Sequence, residues 1–182
     1  FYFDIRKDTL YCDTKDSEKR ENTILLLNII LECLLKWFAP ILSFTTEEIF
    51  SIINKNNKSI HLEKFTKIPS NWQNKSLNDK WTTLKKIRDN CNISIEEKRA
   101  NKIIGSSLEA NIDLKLGKKL FKIAKDTDFA ELCITSNANI SETDTDNEDI
   151  LVNTVKADGN KCPVCWKIKK DKCERQDNCH LS

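Results

Sequence analysis

The stretch that most constrains this chain runs from Lys161-Cys162-Pro163-Val164-Cys165-Trp166 to Cys179. Two cysteines separated by two residues form a knuckle, a tight turn that aims both sulfurs at one spot. Cys173 and Cys179 come shortly after and offer the other two corners of a tetrahedron. Four thiolates with no open position suit a structural Zn²⁺ ion. A segment this short and polar cannot bury a core of its own, so the metal would supply most of its folding free energy.

The rest of the chain reads as the platform for that tail. Its 182 residues suffice for one or two domains with real cores. Charged residues are abundant, but the net charge is only +2, which argues against a strongly basic nucleic-acid coat. Glycine and proline are scarce, which favours helices over sandwiches and loop-rich folds. Met is absent and the chain opens on Phe1-Tyr2-Phe3, so a piece of a longer polypeptide is expected. Cys12, Cys33, Cys91 and Cys133 are scattered and read as small buried hydrophobes. Clustered cysteines without a signal peptide point to metal in a reducing, cytoplasmic setting rather than to disulfides. The most apolar run, Ile24 to Phe38, is too short to span a membrane and carries Asn28, Glu32 and Lys36.

Periodicity divides the chain further. Residues 1–13 read as an extended or partly helical entry segment with a break at Lys7-Asp8. Asn22 to Ala39 is a helix, apolar almost all round, that belongs inside a bundle and stops at Pro40. Thr45 and Glu48 suggest a capping box that opens a second helix. Residues 55–75 read as a linker, in which Ile60-His61-Leu62 is extended and His61 is a surface or packing residue. A third helix runs from about Leu77 to Ile104, with Leu77, Trp81, Leu84, Ile87, Cys91 and Ile95 on one stripe and a weak point at Asn90 to Ser94. Its other faces carry Lys80, Lys85, Lys86, Arg88, Lys98, Arg99 and Lys102, either a solvated surface or a phosphate-facing one. Gly105 caps that helix. Alternation from Leu108 to Leu116 marks a strand, Lys118 to Lys125 a short helix, Phe129 to Thr135 and Ile150 to Ala157 two further strands, and Ser141 to Asp149 an exposed acidic loop.

Three stretches then resemble one family. Phe1 to Asp13, followed by Trp37-Phe38-Ala39-Pro40-Ile41-Leu42-Ser43-Phe44-Thr45-Thr46-Glu47-Glu48, resembles the anticodon-binding helical domain of class I aminoacyl-tRNA synthetases. Trp81 to Arg88, Ile95 to Arg99, Ile103 to Ala110 and the Lys-Cys-Pro-x-Cys-Trp tail narrow the resemblance to the bacterial-type isoleucyl enzymes. The fold so implied is mainly α: a helical anticodon-binding bundle with linker over residues 1–75, a long helix plus small α+β subdomain over 76–158, and a zinc-ribbon tail over 159–182. The implied partners are isoleucine tRNA and the catalytic and editing domains of the same polypeptide. ATP would bind only in that catalytic domain, so no catalytic residue is placed here, and a monomer without membrane contact is expected.

The tail departs from the family's two Cys-x-x-Cys knuckles, because Gln176 stands where the last cysteine would fall. The fourth ligand is then Cys179, with the neighbouring His180 as the alternative. Around the metal, Lys167, Lys169, Lys170, Lys172 and Arg175, joined by Lys161, would meet phosphates. Trp166 would stack on a loop base or pack against the ribbon. Two rival readings remain: a free-standing zinc-ribbon adaptor for RNA or protein, and a structural clamp that docks on the parent enzyme.

Overall fold

The computed structural model describes residues 1–55, 58–145, 148–173 and 175. They form two compact units that do not follow chain order: Phe1–Thr14 groups with the residues from Asn74 onward, and Lys15–Gln73 stands as a unit of its own. No helix among the described residues is long and apolar enough to cross a membrane.

The unit of Lys15–Gln73 is built on α2 (Glu18–Phe38) and α3 (Ser43–Ile53). Ser17 caps α2 by accepting from the Arg20 amide. The helix ends at Phe38, ahead of Pro40. The expected capping box at Thr45 and Glu48 is not used. The chain turns at once through Ile41 and Leu42 amides bonded to the Phe38 carbonyl, so α3 restarts earlier, with Leu42 in the cap position. Thr46 then donates back to the Leu42 carbonyl at 2.9 Å instead of serving a cap. The Ile60–Leu62 segment is a 3₁₀ turn, not an extended piece, because Ser59 caps it and Glu47 accepts from the Ile60 amide at 2.9 Å. Its core is small: Leu35, Ala39, Phe50 and Ile60. His61 is exposed, as expected.

The other unit holds α1 (Tyr2–Cys12), α4 (Lys75–Ala100), β1 (Ala110–Leu116), α5 (Lys118–Ala124), α6 (Phe129–Leu132), β2 (Asn137–Glu142), β3 (Ile150–Lys156), β4 (Asn160–Lys161) and β5 (Ile168–Lys169). The anticipated break at Lys7-Asp8 is absent. Lys7 pairs with Asp4 one turn back, Asp8 has a distant partner, and Ile5 and Thr9 lie buried on one face, so α1 runs through.

Asn74 caps α4 by accepting from the Leu77 amide at 2.9 Å. Leu84, Ile87, Cys91 and Ile95 form the buried stripe that the spacing predicts. The weak point at Asn90 to Ser94 does not break the helix, because its polar side chains find partners: Asn90 on the Lys86 carbonyl and Ser94 on Thr154 at 2.8 Å. The helix closes five residues before Gly105. The Ile103 amide reaches the Lys98 carbonyl and the Lys102 amide reaches the Arg99 carbonyl, a Schellman pair with Lys102 in the left-handed conformation at φ 56°. Since that conformation strains a residue with a Cβ, Lys102→Gly should raise stability by about 1 kcal/mol. A higher urea midpoint checks it.

The sheet has the order β2-β1-β3, with β1 parallel to β2 and antiparallel to β3. As the central strand, β1 buries Ala110, Ile112, Leu114 and Leu116 completely, under the α4 stripe and beside Leu120, Ala124, Phe129 and Leu132. The strand expected at Phe129 to Thr135 is a helix followed by a turn. Asp128 caps it through the Glu131 amide, and Phe129, Leu132 and Cys133 bury at spacings of three and four, a helical rather than alternating pattern. Ile134, at φ 56°, reverses the chain, and the strand begins only at Asn137.

Candidate metal centre and nucleic-acid interface

The cysteine module starts at Gly159, whose φ of 135° is open to glycine alone. Strands β4 and β5 then pair antiparallel, Asn160 with Lys169 and Lys161 with Ile168. Between them, the Cys162 amide donates to the Lys167 carbonyl at 2.9 Å, and the Trp166 amide donates to the Cys162 carbonyl at 3.0 Å. Trp166 sits in the left-handed region at φ 61°, which closes the knuckle. The Sγ atoms of Cys162, Cys165 and Cys173 lie within 4.8 Å of one another, and those of Cys165 and Cys173 are 3.8 Å apart. A tetrahedron with Zn–S bonds near 2.3 Å has an edge of about 3.8 Å, so the three sulfurs fit the ion. Cys179 and His180 lie outside the described residues.

The thiols are unlike one another electrostatically. Burial opposes ionisation of Cys162, but the backbone N–H groups of Cys165 and Val164 outweigh it and hold its pKa down at about 7. Burial and then the neighbouring sulfurs push Cys165 up to about 11. Such a cluster carries several thiolates together only when a cation neutralises them.

The module rests on the sheet unit through polar contacts. Ser136 accepts from the Ile168 amide at 2.6 Å and donates to the Leu108 carbonyl at 2.5 Å. Arg175 donates to Asp8 at 2.6 Å and to Asp13 at 2.7 Å, and Lys167 lies 3.6 Å from Asp8. Cys12 approaches the Val164 carbonyl at 3.7 Å. Burial raises the pKa of Asp8, yet Arg175 and Lys167 together hold it below the ordinary carboxylate value. None of Asp8, Asp13 or Ser136 carries a sequence signal for this role, since each pairs with residues far away along the chain.

The expected phosphate-binding cations therefore divide. Lys167 and Arg175 turn inward to α1. Lys169, Lys170 and Lys172 are exposed and line a concavity of about 440 Å³ beside Cys165 and Cys173. Lys170 pairs only loosely with the exposed Asp158, at 3.5 Å. Lys161 lies over the Trp166 ring at 5.4 Å, and that ring is 59% exposed. Next to it, Tyr11, Ile134, Val164 and Trp166 line an apolar groove of about 570 Å³. The basic residues of α4 make no uniform stripe: Lys85 and Arg88 lie over the Phe1 ring, Arg88 also donates to the Leu132 carbonyl, and Arg99 pairs with Glu96.

Residues 1–114 match the family model described as the anticodon-binding domain of tRNA ligase. The isoleucine–tRNA ligase of Pelagibacter ubique is 63% identical over 178 residues, covering 98% of this chain and 19% of the relative. Those of Agrobacterium fabrum and Bartonella henselae are 38% and 37% identical over 180 residues, each across 94% of this chain. The chain thus spans about a fifth of the length of these relatives. On the family match over most of its length, the chain belongs to the anticodon-binding domain family of tRNA ligases.

Proposed function

We propose that this chain is the tRNA-binding portion of an isoleucine–tRNA ligase and that its cysteine module holds one structural Zn²⁺. The observation that carries this reading is the convergence of three Sγ atoms beneath an exposed lysine-lined concavity, next to an exposed indole. The relatives' names and the family match support it. Cys162, Cys165 and Cys173 would ligate the ion, with Cys179 completing the tetrahedron and His180 as its alternative. Bound there, zinc supplies rigidity and offers no open position for Lewis-acid chemistry.

The division of labour follows from the side chains. Lys169, Lys170 and Lys172 meet phosphates of the anticodon stem-loop, a contact that gives affinity without reading sequence. Trp166 offers a flat, exposed ring on which an unstacked loop base can lie. Lys161 rests over the same ring and holds it as part of a rigid surface. The ATP-dependent attachment of isoleucine belongs to the catalytic domain of the parent enzyme, a cytoplasmic protein on this reading.

Charge reversal at Lys169 and Lys170 should weaken tRNA binding and flatten its dependence on salt by roughly 1 in log–log slope for each lysine that meets a phosphate. Filter binding of isoleucine tRNA over a salt series, with and without chelator, reads both effects. Unchanged affinity at low salt would remove the lysines from the interface and favour a module that only clamps the protein.

A further inference from the structure

Helix α1 ends in an electrostatically unfavourable way. The C-terminus of a helix carries partial negative charge and favours nearby cations. The last turn of α1 has no basic residue of its own, and its cap residue is Asp13, with Asp8 just upstream. A helix of this length is marginal in isolation. The missing cations arrive from the cysteine module. Both arms of the Arg175 guanidinium are used, one on Asp8 and one on Asp13, and all three side chains are largely shielded from water. Lys167 adds a second positive charge beside Asp8. The Val164 carbonyl faces Cys12, one turn on from Asp8 on the same side of the helix.

These contacts come from both walls of the metal centre. Val164 and Lys167 belong to the knuckle around Cys165, whereas Arg175 stands two residues beyond Cys173. The knuckle wall is shaped by its own backbone hydrogen bonds. Cys173 lies in no helix or strand and Arg175 stands in a 3₁₀ turn two residues on, so a ligand at Cys173 bears directly on where Arg175 stands.

We propose that Arg175 is a positioning residue that couples metal occupancy of the cysteine module to the order of helix α1. Metal at Cys173 sets the guanidinium between Asp8 and Asp13, and the neutralised helix end stays formed. Loss of the metal withdraws Arg175 and lets α1 fray. Linkage makes the effect reciprocal: whatever factor the metal lends to α1, a docked α1 returns to metal affinity. The coupling rests on zinc being held by the cysteines, as proposed for this module.

Hydrogen exchange of the amides of residues 2–14 in the intact protein, loaded with Zn²⁺ alone or stripped with chelator, tests it. In the wild type, stripping should speed exchange in α1 about tenfold, within the usual range of coupling between sites. Arg175→Ala should bind one equivalent of Zn²⁺ yet show fast α1 exchange whether loaded or stripped. The pair Asp8→Asn with Asp13→Asn, placed outside the module, should show the same insensitivity, and a competing chelator should strip zinc from it more readily. Zinc bound in the wild type with α1 exchange unchanged on stripping overturns the coupling alone. Arg175→Ala should likewise hold zinc about tenfold less tightly, and a loss of zinc far beyond that factor overturns the coupling too, because the residue would then serve directly to retain the ion. No stoichiometric zinc in the wild type overturns the metal reading and the coupling with it.

Discussion

Serine at both Cys162 and Cys165 should reduce bound zinc from one equivalent to none and release the segment from Asn160 to Cys173 from its fixed shape. The reason is that the module has no other core. Of the described residues from Asn160 onward, only Cys162 and Cys165 are buried. Its sheet is a ladder of two residue pairs, far too small to stand alone. Structural zinc in comparable small modules contributes roughly 10–16 kcal/mol of apparent binding free energy at neutral pH, and that energy is folding energy. The β2-β1-β3 sheet should survive, because its fully buried β1 side chains pack on α4, α5 and α6 instead. Metal analysis, together with hydrogen exchange in the segment Asn160 to Cys173 against far-ultraviolet helicity, separates these outcomes. A double variant that keeps one equivalent would place the ion elsewhere.

Gly159→Ala should also damage the module, although it touches no ligand. A Cβ at Gly159 would stand 2.3 Å from the Lys169 carbonyl oxygen and 2.9 Å from the Lys170 nitrogen. Those are backbone atoms of β5 and its continuation, so they cannot swing aside as a side-chain tip would. The φ of 135° adds strain of its own for any residue with a Cβ. Together these should cost about 3 kcal/mol. Because the hairpin carries Cys162 and Cys165, zinc affinity should fall about a hundredfold, at 1.4 kcal/mol per decade. Competition against a chelating dye measures it, and wild-type affinity in the alanine variant would show that the hairpin need not close for the metal to bind.

Much of the scaffold was legible from residue spacing. The stripe of Leu84, Ile87, Cys91 and Ile95 predicted the long helix, and the alternation around Ile112 and Leu114 predicted the central strand. The Cys-x-x-Cys spacing predicted converging sulfurs, which Cys162 and Cys165 provide and Cys173 joins. Two expectations failed at the ends of elements. At Phe129 to Thr135 an apolar run of few residues fits both periods, and the Asp128 cap decided for helix. At the end of the long helix, Lys102 took the left-handed position, although the nearby Gly105 is the residue type that adopts it at least cost.

By itself, then, the amino-acid order determined the amphipathic elements and the thiol knuckle, because both arise from contacts between residues a few positions apart. Only the tertiary structure decided that α1 belongs with the cysteine module rather than with the helices that come after it in the chain. It also turned two of the tail cations, Lys167 and Arg175, inward to Asp8 and Asp13, while Lys169, Lys170 and Lys172 stay exposed. An ion pair between positions 8 and 175 leaves no local trace in a sequence. Charge has no periodicity that names its partner, and the pairing is set by which buried surfaces bring the two ends of the chain together.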